Sequence, residues 1–270
     1  MDIRDIIRST RHYNFHAHTQ WCDGRDSLEA IASEAAARGF EHFGFSPHSP
    51  VPIESPCNMS AADLDAYRAE IDRVGTALDG RVKLYCGVEV DYLGPQWGPA
   101  SELFQNGRFD FTIGSVHFIP AQDGTPVDID GRFTNFCRRM DEHFHRDIRY
   151  VVNTFFSQSH RMLDAGGFDI LGHFDKISQN AGYYLPGIEE QEWFKRLLDE
   201  YIDHIVASGV IVEINTKARL EHGRFFPHQS LWKRLIDAGV DLCVNSDAHY
   251  AERVDAARRE AFEILDRLKD

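Results

Sequence analysis

The sequence predicts an α/β fold in which short parallel strands alternate with helices. Two observations carry that prediction. Seven β-prone runs are separated by amphipathic helical patterns. A run of small residues also ends in glycine at four places: Ala36-Ala37-Arg38-Gly39, Asp164-Ala165-Gly166-Gly167, Ala207-Ser208-Gly209 and Asp237-Ala238-Gly239. Glycine just past a helix adopts the left-handed conformation without steric cost, and a short apolar run soon follows each one. Strand alternating with helix calls for a parallel sheet with right-handed crossovers. Seven units in 270 residues fit a single barrel domain spanning 1–270. An open doubly wound sheet has the same periodicity.

The strand candidates are Tyr13–His18, His42–Pro47, Lys83–Glu89, Phe111–His117, Asp169–His173, Val210–Asn215 and Leu242–Asp247. Each is short and rich in aromatic or branched residues, as a strand buried on both faces requires. Helical patterns lie between them. Leu28–Arg38 has Asp26 as its expected N-cap and Glu29 three residues on, in capping-box spacing. Ala61–Leu78 follows Ser60, and Arg132–Leu163 forms one or two helices. Glu189–Ala207, Gln229–Ala238 and Ala251–Leu268 complete the set.

Composition excludes several classes. A hydrophobic content of 43% is that of an ordinary globular chain. No run approaches the ~20 apolar residues of a membrane span. Met1–Arg11 alternates charge with isoleucine and lacks the apolar stretch of a signal peptide. The expectation is a cytoplasmic protein with no membrane partner, and self-association stays open. A formal charge of −14 with no Lys/Arg run disfavours a nucleic acid polymer, whose affinity depends on phosphate neutralisation. Five scattered cysteines without a CxxC pair fit reduced thiols, not disulfides or a thiolate zinc site.

The chemistry gathers at the strand ends. His16, His18 and Asp23 stand at or after the first, His48 at the second, Glu89 at the third, His117 at the fourth and His173 at the fifth. Asp247 and His249 close the seventh, and Glu213-Ile214-Asn215 ends the sixth. In a parallel barrel those C-terminal ends converge on one face, where active sites lie. A lone strand histidine is usually a hydrogen-bonded structural residue. His-x-His, however, puts two imidazoles on one strand face. Imidazole and carboxylate without thiolate suit Zn, Mn or Fe. Nine candidate ligands exceed the positions of one ion, so two or three divalent metals are expected. Such metals lower the pKa of bound water from ~15.7 to ~7 and neutralise phosphoryl oxygens, which fits hydrolysis of a phosphate ester. Glu89, a carboxylate able to bridge two ions, Asp247 and His249 are the candidates for direct catalytic roles.

Six segments then resemble, in order, the motifs of the polymerase-and-histidinol-phosphatase (PHP) superfamily. They are His16-Ala17-His18-Thr19 with Cys22-Asp23-Gly24, Ser46-Pro47-His48-Ser49-Pro50, Gly87-Val88-Glu89, Gly114-Ser115-Val116-His117-Phe118, Gly172-His173-Phe174-Asp175 and Asn245-Ser246-Asp247-Ala248-His249. Ser-Val-His-Phe, Gly-His-Phe-Asp and Glu213-Ile214-Asn215-Thr216 look most like the histidinol-phosphate phosphatase branch. The resemblance, over residues 12–255, implies a distorted (β/α)7, TIM-like barrel with a trinuclear site. Motif by motif it implies one metal on His16, His18, Glu89 and Asp247, a second on Asp23, His48 and His249, and a third on Glu89, His117 and His173. A hydroxide bridging the metals is then the nucleophile. Asn14 and Pro47 stand where the family often has Asp, and Lys217-Ala218-Arg219 replaces a small, Gly-containing run.

Four cations are candidate substrate-binding groups: Lys217, Arg219 and Arg224 after the sixth strand, and Lys176 after the fifth. Each could instead be a solvated surface charge. The residues point to hydrolysis of a small phosphorylated substrate, and the resemblance implies L-histidinol phosphate to L-histidinol. A PHP-type phosphoesterase acting on nucleotides or oligonucleotide ends is the alternative, and a non-catalytic metal-binding domain the third.

Overall fold

The β-prone runs become strands close to where the sequence puts them in the computed structural model, which describes residues 2–269. The chain opens with α1 (Ile3–Ser9), β1 (Tyr13–Asn14), α2 (Leu28–Ala37), β2 (His42–Phe45), α3 (Leu64–Ala77) and β3 (Lys83–Asp91). It continues through α4 (Glu102–Gln105), β4 (Phe111–Ser115), β5 (Phe118–Pro120), β6 (Pro126–Asp128), α5 (Phe133–His143) and α6 (Ile148–Ala165). Then come β7 (Ile170–Leu171), α7 (Ile177–Tyr184), α8 (Glu192–Ser208) and β8 (Ile211–Asn215). The last elements are α9 (Arg219–His222), α10 (Trp232–Asp237), β9 (Leu242–Asn245) and α11 (Arg258–Lys269).

Seven strands form one parallel sheet in the order β1-β2-β3-β4-β7-β8-β9, the sequential order of a barrel. The open doubly wound alternative is excluded, because that arrangement reverses strand order at a switch point. The seam between β1 and β9 closes irregularly. Ala17 and Ala248 form a single parallel bridge, and His18 N–H donates to Ala248 O at 2.8 Å. Side chains complete it: Asn14 Oδ1 accepts from Ser246 N–H at 2.7 Å, and Asn245 Oδ1 from Phe15 N–H at 2.8 Å. This is the distorted (β/α)7 barrel.

Aromatic packing fills the barrel below the strand ends. Tyr13, Phe15, Tyr85, Phe111, Ile113, Ile170 and Ile211 form one buried cluster. Phe111 fits only because Gly44 and Gly87 leave room. A Cβ on Gly87 would stand 2.2 Å from its ring, and one on Gly44 2.6 Å. Burying such a ring stabilises by roughly 1.5–3 kcal/mol. A larger cluster packs α5, α6, α7 and α8 against the sheet.

The structure corrects some boundaries. The predicted 61–78 helix begins as a 3-10 turn, Ala61–Asp63, capped by Ser60. The 132–163 pattern becomes α5 and α6, separated where His145 and Arg146 take positive φ. Ser27, not Asp26, caps α2 by accepting from Ala30 N–H; Asp26 accepts instead from Ala251 N–H at 2.7 Å. Helices α1, α4, α7 and α9 and the antiparallel β5–β6 hairpin are not among the predicted elements. Among the described residues, no helix is long and apolar enough to cross a membrane.

Candidate metal centre

The strands deliver all nine predicted ligands to one bowl. Glu89, buried near the end of β3, is the hub. Its Oε2 lies 3.0 Å from His48 Nδ1, 3.3 Å from His16 Nε2 and 3.5 Å from His18 Nε2. Its Oε1 is 2.9 Å from His173 Nε2 and 3.5 Å from His117 Nε2. Asp247 Oδ1 lies 3.2 Å from His18 Nε2, and Asp23 Oδ1 is 3.3 Å from His249 Nε2. Four overlapping ligand groups result: His18, Asp23, His48 and His249; His16, His173 and Asp247; His16, His18 and Glu89; and His48, Glu89 and His117. This partition differs from the one implied by the resemblance, since His18 joins the Asp23 group and His48 the His117 group.

Most of these residues sit beyond regular pairing. β1 ends at Asn14, β4 at Ser115 and β7 at Leu171, each two residues short of the next histidine. The predicted strands therefore ran too long. Asp247 holds φ at 49°, the left-handed region that non-glycine residues rarely occupy, a strain often found where a side chain is aimed for function.

Three residues outside the predicted set orient the ligands. Glu213 Oε1 accepts from His16 Nδ1 at 2.6 Å, while its Oε2 accepts from the His173 amide at 3.0 Å. Asp91 Oδ1 accepts from His117 Nδ1 at 2.7 Å. Cys22 Sγ lies 3.3 Å from His18 Nδ1. A carboxylate on the distal nitrogen fixes the ring's orientation and raises its basicity as a ligand. The Glu213 pattern was visible as a strand-end acid; Asp91, two residues after Glu89 on the same strand face, was findable from the period of two.

The donor set fits divalent cations. His16 and His18 point Nε2 at Nε2 across 3.1 Å, and His117 and His173 do so across 3.3 Å. Glu89 Oε2 and Asp23 Oδ1 are buried without a hydrogen-bond partner, although imidazoles stand close. Those nitrogens aim at shared points between them, where a cation would satisfy several groups together. Electrostatics agrees. Burial alone would raise the Glu89 carboxyl, yet His16, His117 and His48 hold it well below its usual range. Burial would lower His117, yet Asp91 and then Glu89 raise it to about 10. Burial, with His249 and His48, pushes His18 well below its usual value.

Two of the four candidate phosphate-binding cations reach this region. Lys176 and Lys217 line a cavity of ≈140 Å³ beside the ligands. Lys217 Nζ is 3.3 Å from Asp247 Oδ1 and 3.1 Å from His249 Nε2. Arg219 is not brought in, because Glu260 takes its guanidinium in a bidentate pair. Arg224 is likewise committed to Asp175 and Glu189. Arg219 and Arg224 thus hold α9 and its flanking turns in place.

A model of the PHP domain matches residues 14–217. The chain belongs to the PHP domain family. It is 30% identical over 272 residues to a histidinol-phosphatase of Bacillus subtilis, covering 92% of this chain and 96% of that protein. A solved Lactococcus lactis histidinol phosphate phosphatase, complexed with Zn, L-histidinol and phosphate, superposes with a TM-score of 0.71 at 19% identity. That match covers 95% of this chain and 93% of the other. A Listeria monocytogenes protein assigned as a histidinol phosphatase superposes at 0.78 and 16% identity, covering 90% and 97%. At such identities the two structures establish the shared fold. Within this PHP chain, Asn14 has a clear job: it ties the β1–β9 seam, donating Nδ2–H to His16 O at 2.9 Å while accepting from Ser246.

Proposed function

We propose that this PHP chain is a metal-dependent phosphoric monoester hydrolase that converts L-histidinol phosphate to L-histidinol. The observation that carries the reading is the meeting of nine His, Asp and Glu side chains around Glu89, whose buried Oε2 has no partner. Names of relatives support the substrate: chains from Schizosaccharomyces pombe, Deinococcus radiodurans and Bacillus subtilis, 25–30% identical over most of this chain, are all called histidinol-phosphatases.

His16, His18, Asp23, His48, Glu89, His117, His173, Asp247 and His249 would hold two or three divalent ions, zinc being the first to test. Such ions supply positive charge for phosphoryl oxygens and lower the pKa of water to ~7. The chain's residues do the rest. Glu213 and Asp91 hold His16 and His117 in a fixed orientation. Lys176 and Lys217 present ammonium groups to the phosphoryl oxygens, as point charges that need no bidentate geometry. The barrel wall excludes bulk water from Glu89, which raises the strength of every charge contact there. The whole span 1–270 acts as one functional domain in this reading. Inorganic phosphate release from L-histidinol phosphate by zinc- or manganese-loaded protein is the test. Release no faster than from Asp247→Ala protein would overturn the function.

A further inference from the structure

Two acids that play no part so far face the same cavity. Asp128 ends β6 and Asp130 follows, and with Ser55, Cys57 and Phe118 they line the same cavity as His48, Glu89 and His117. Their hairpin is tied down firmly. Ile129 N–H donates to His117 O at 2.9 Å, Gln158 Nε2 donates to Phe118 O at 2.6 Å, and Asn180 Nδ2 donates to Ile129 O at 3.2 Å. The two carboxylates are therefore fixed relative to the ligand histidines.

The acids differ in where their counter-ion stands. Lys176 Nζ, 3.0 Å from Asp130 Oδ2, itself lines the cavity, so its charge is available to an incoming phosphate. Arg139, on α5, pairs with Asp128 Oδ2 at 2.6 Å and is not among the cavity-lining residues. Asp128 Oδ1 accepts only from the Asp130 amide, at 2.8 Å. Asp128 thus lines the cavity while its neutralising partner does not. Burial pushes that carboxyl above its usual range, and the neighbouring Asp130 pushes it further. A cation arriving from the cavity relieves both effects.

The ligand residues lining that cavity have a complementary need. There the buried, unpartnered Glu89 Oε2 and the facing imidazoles take up cations, and cations draw a phosphate dianion. A molecule spanning the cavity is therefore matched when it is anionic at one end and cationic at the other.

We propose that Asp128 is a specificity-determining residue that selects esters whose alcohol part carries a positive charge, an ammonium or imidazolium. The inference rests on the phosphatase reading above and adds a recognition element to it. A hydrogen bond to a charged group inside such a site is worth about 10–100-fold in affinity.

The test has two arms. In the first, kcat/KM is measured for metal-loaded wild type, D128N and D128E on L-histidinol phosphate and on phenyl phosphate, whose alcohol part is uncharged. The ratio of the two substrates should fall about 10–100-fold in D128N and stay near wild type in D128E. In the second, calorimetry follows binding of L-histidinol and of neutral benzyl alcohol, with no turnover. L-Histidinol should weaken by a similar factor in D128N, and benzyl alcohol should not. Asp128→Ser, which can still accept the Asp130 amide, carries both comparisons if D128N melts early. Wild type that releases phosphate from neither ester would sink the phosphatase reading alone. D128N that keeps the substrate ratio within twofold, or binds L-histidinol as tightly as wild type does, would overturn the role of Asp128.

Discussion

His117 Nδ1 donates to Asp91 Oδ1 at 2.7 Å, and that bond turns the ring's other nitrogen toward Glu89 Oε1, 3.5 Å away. Asp91 touches no proposed metal position, yet it decides which way a ligand faces. The same logic joins Glu213 to His16 at 2.6 Å. Two acids inside the barrel thus set the aim of two imidazoles.

Asp91→Asn should keep the fold and weaken metal retention. An amide can still contact the ring, but it neither fixes the tautomer nor raises ligand basicity. The loss expected for such an outer partner is about 10–100-fold in metal affinity. Competition with a chromogenic chelator measures it. Unchanged affinity would mean that His117 is aimed by its backbone alone.

Metal uptake should release protons. Without a cation, the site recruits protons: His117 is raised to about 10 by Asp91 and Glu89 against burial, and His16 is raised by Glu213, Asp247 and Glu89. Ligation needs the neutral ring, so apparent metal affinity should climb with pH through neutrality. The apo protein shows the converse. Stability from protonated His117 is fully present below pH ~6.5 and is lost as pH rises through about 10. Calorimetric titration in buffers of different ionisation enthalpy counts the released protons, and a count of zero would contradict the electrostatics.

Much of the fold was legible because its signals are local. The Gly39, Gly209 and Gly239 helix ends mark the repeat, and all three take positive φ. What failed was whatever depends on partners distant in sequence. α1 has only seven residues and is held by Arg4 and Arg8 on Asp241, more than 230 positions away. Arg219 and Arg224 looked free for phosphate until Glu260, Asp175 and Glu189 claimed them. The nine-residue constellation was readable because strand ends share one face whatever lies between them. Its partition into groups was not, since His18 and His48 each stand between two groups.

Arg258 offers a test of the barrel seam. Its buried guanidinium donates to Val244 O, Tyr13 O and Arg11 O, bridging the chain around β1 to β9, and stacks over the rings of Tyr13, Phe40 and Phe262. Arg258→Met keeps much of the apolar volume but strands those carbonyls. The cost should be about 3 kcal/mol, a drop in Tm of roughly 6–12 °C at this length. Metal stoichiometry should survive, because Arg258 makes no hydrogen bond to any of the nine ligand residues. A change under 2 °C in a melting curve would show that the seam does not depend on this residue.

Lys176 and Arg219 make the sharpest contrast among the cations. Burial lowers the Lys176 pKa, but Asp130, with the more distant charges of Asp247 and Glu89, raises it well above its usual value, so the ammonium stays charged. It lines the cavity beside the ligands. Arg219 is spent on Glu260, with its guanidinium over the Phe225 ring. Lys176→Ala should therefore raise the inhibition constant for inorganic phosphate by about 10-fold or more, the worth of one charge-assisted contact. Arg219→Ala should leave it within twofold and instead loosen α9, which shows as a lower Tm. The measurement is competitive inhibition by phosphate at fixed ionic strength, since screening would blur a surface charge far more than a buried one. If Arg219→Ala weakened phosphate and Lys176→Ala did not, the anion would have to approach from the α9 side, and the cavity beside Glu89 would not be its path.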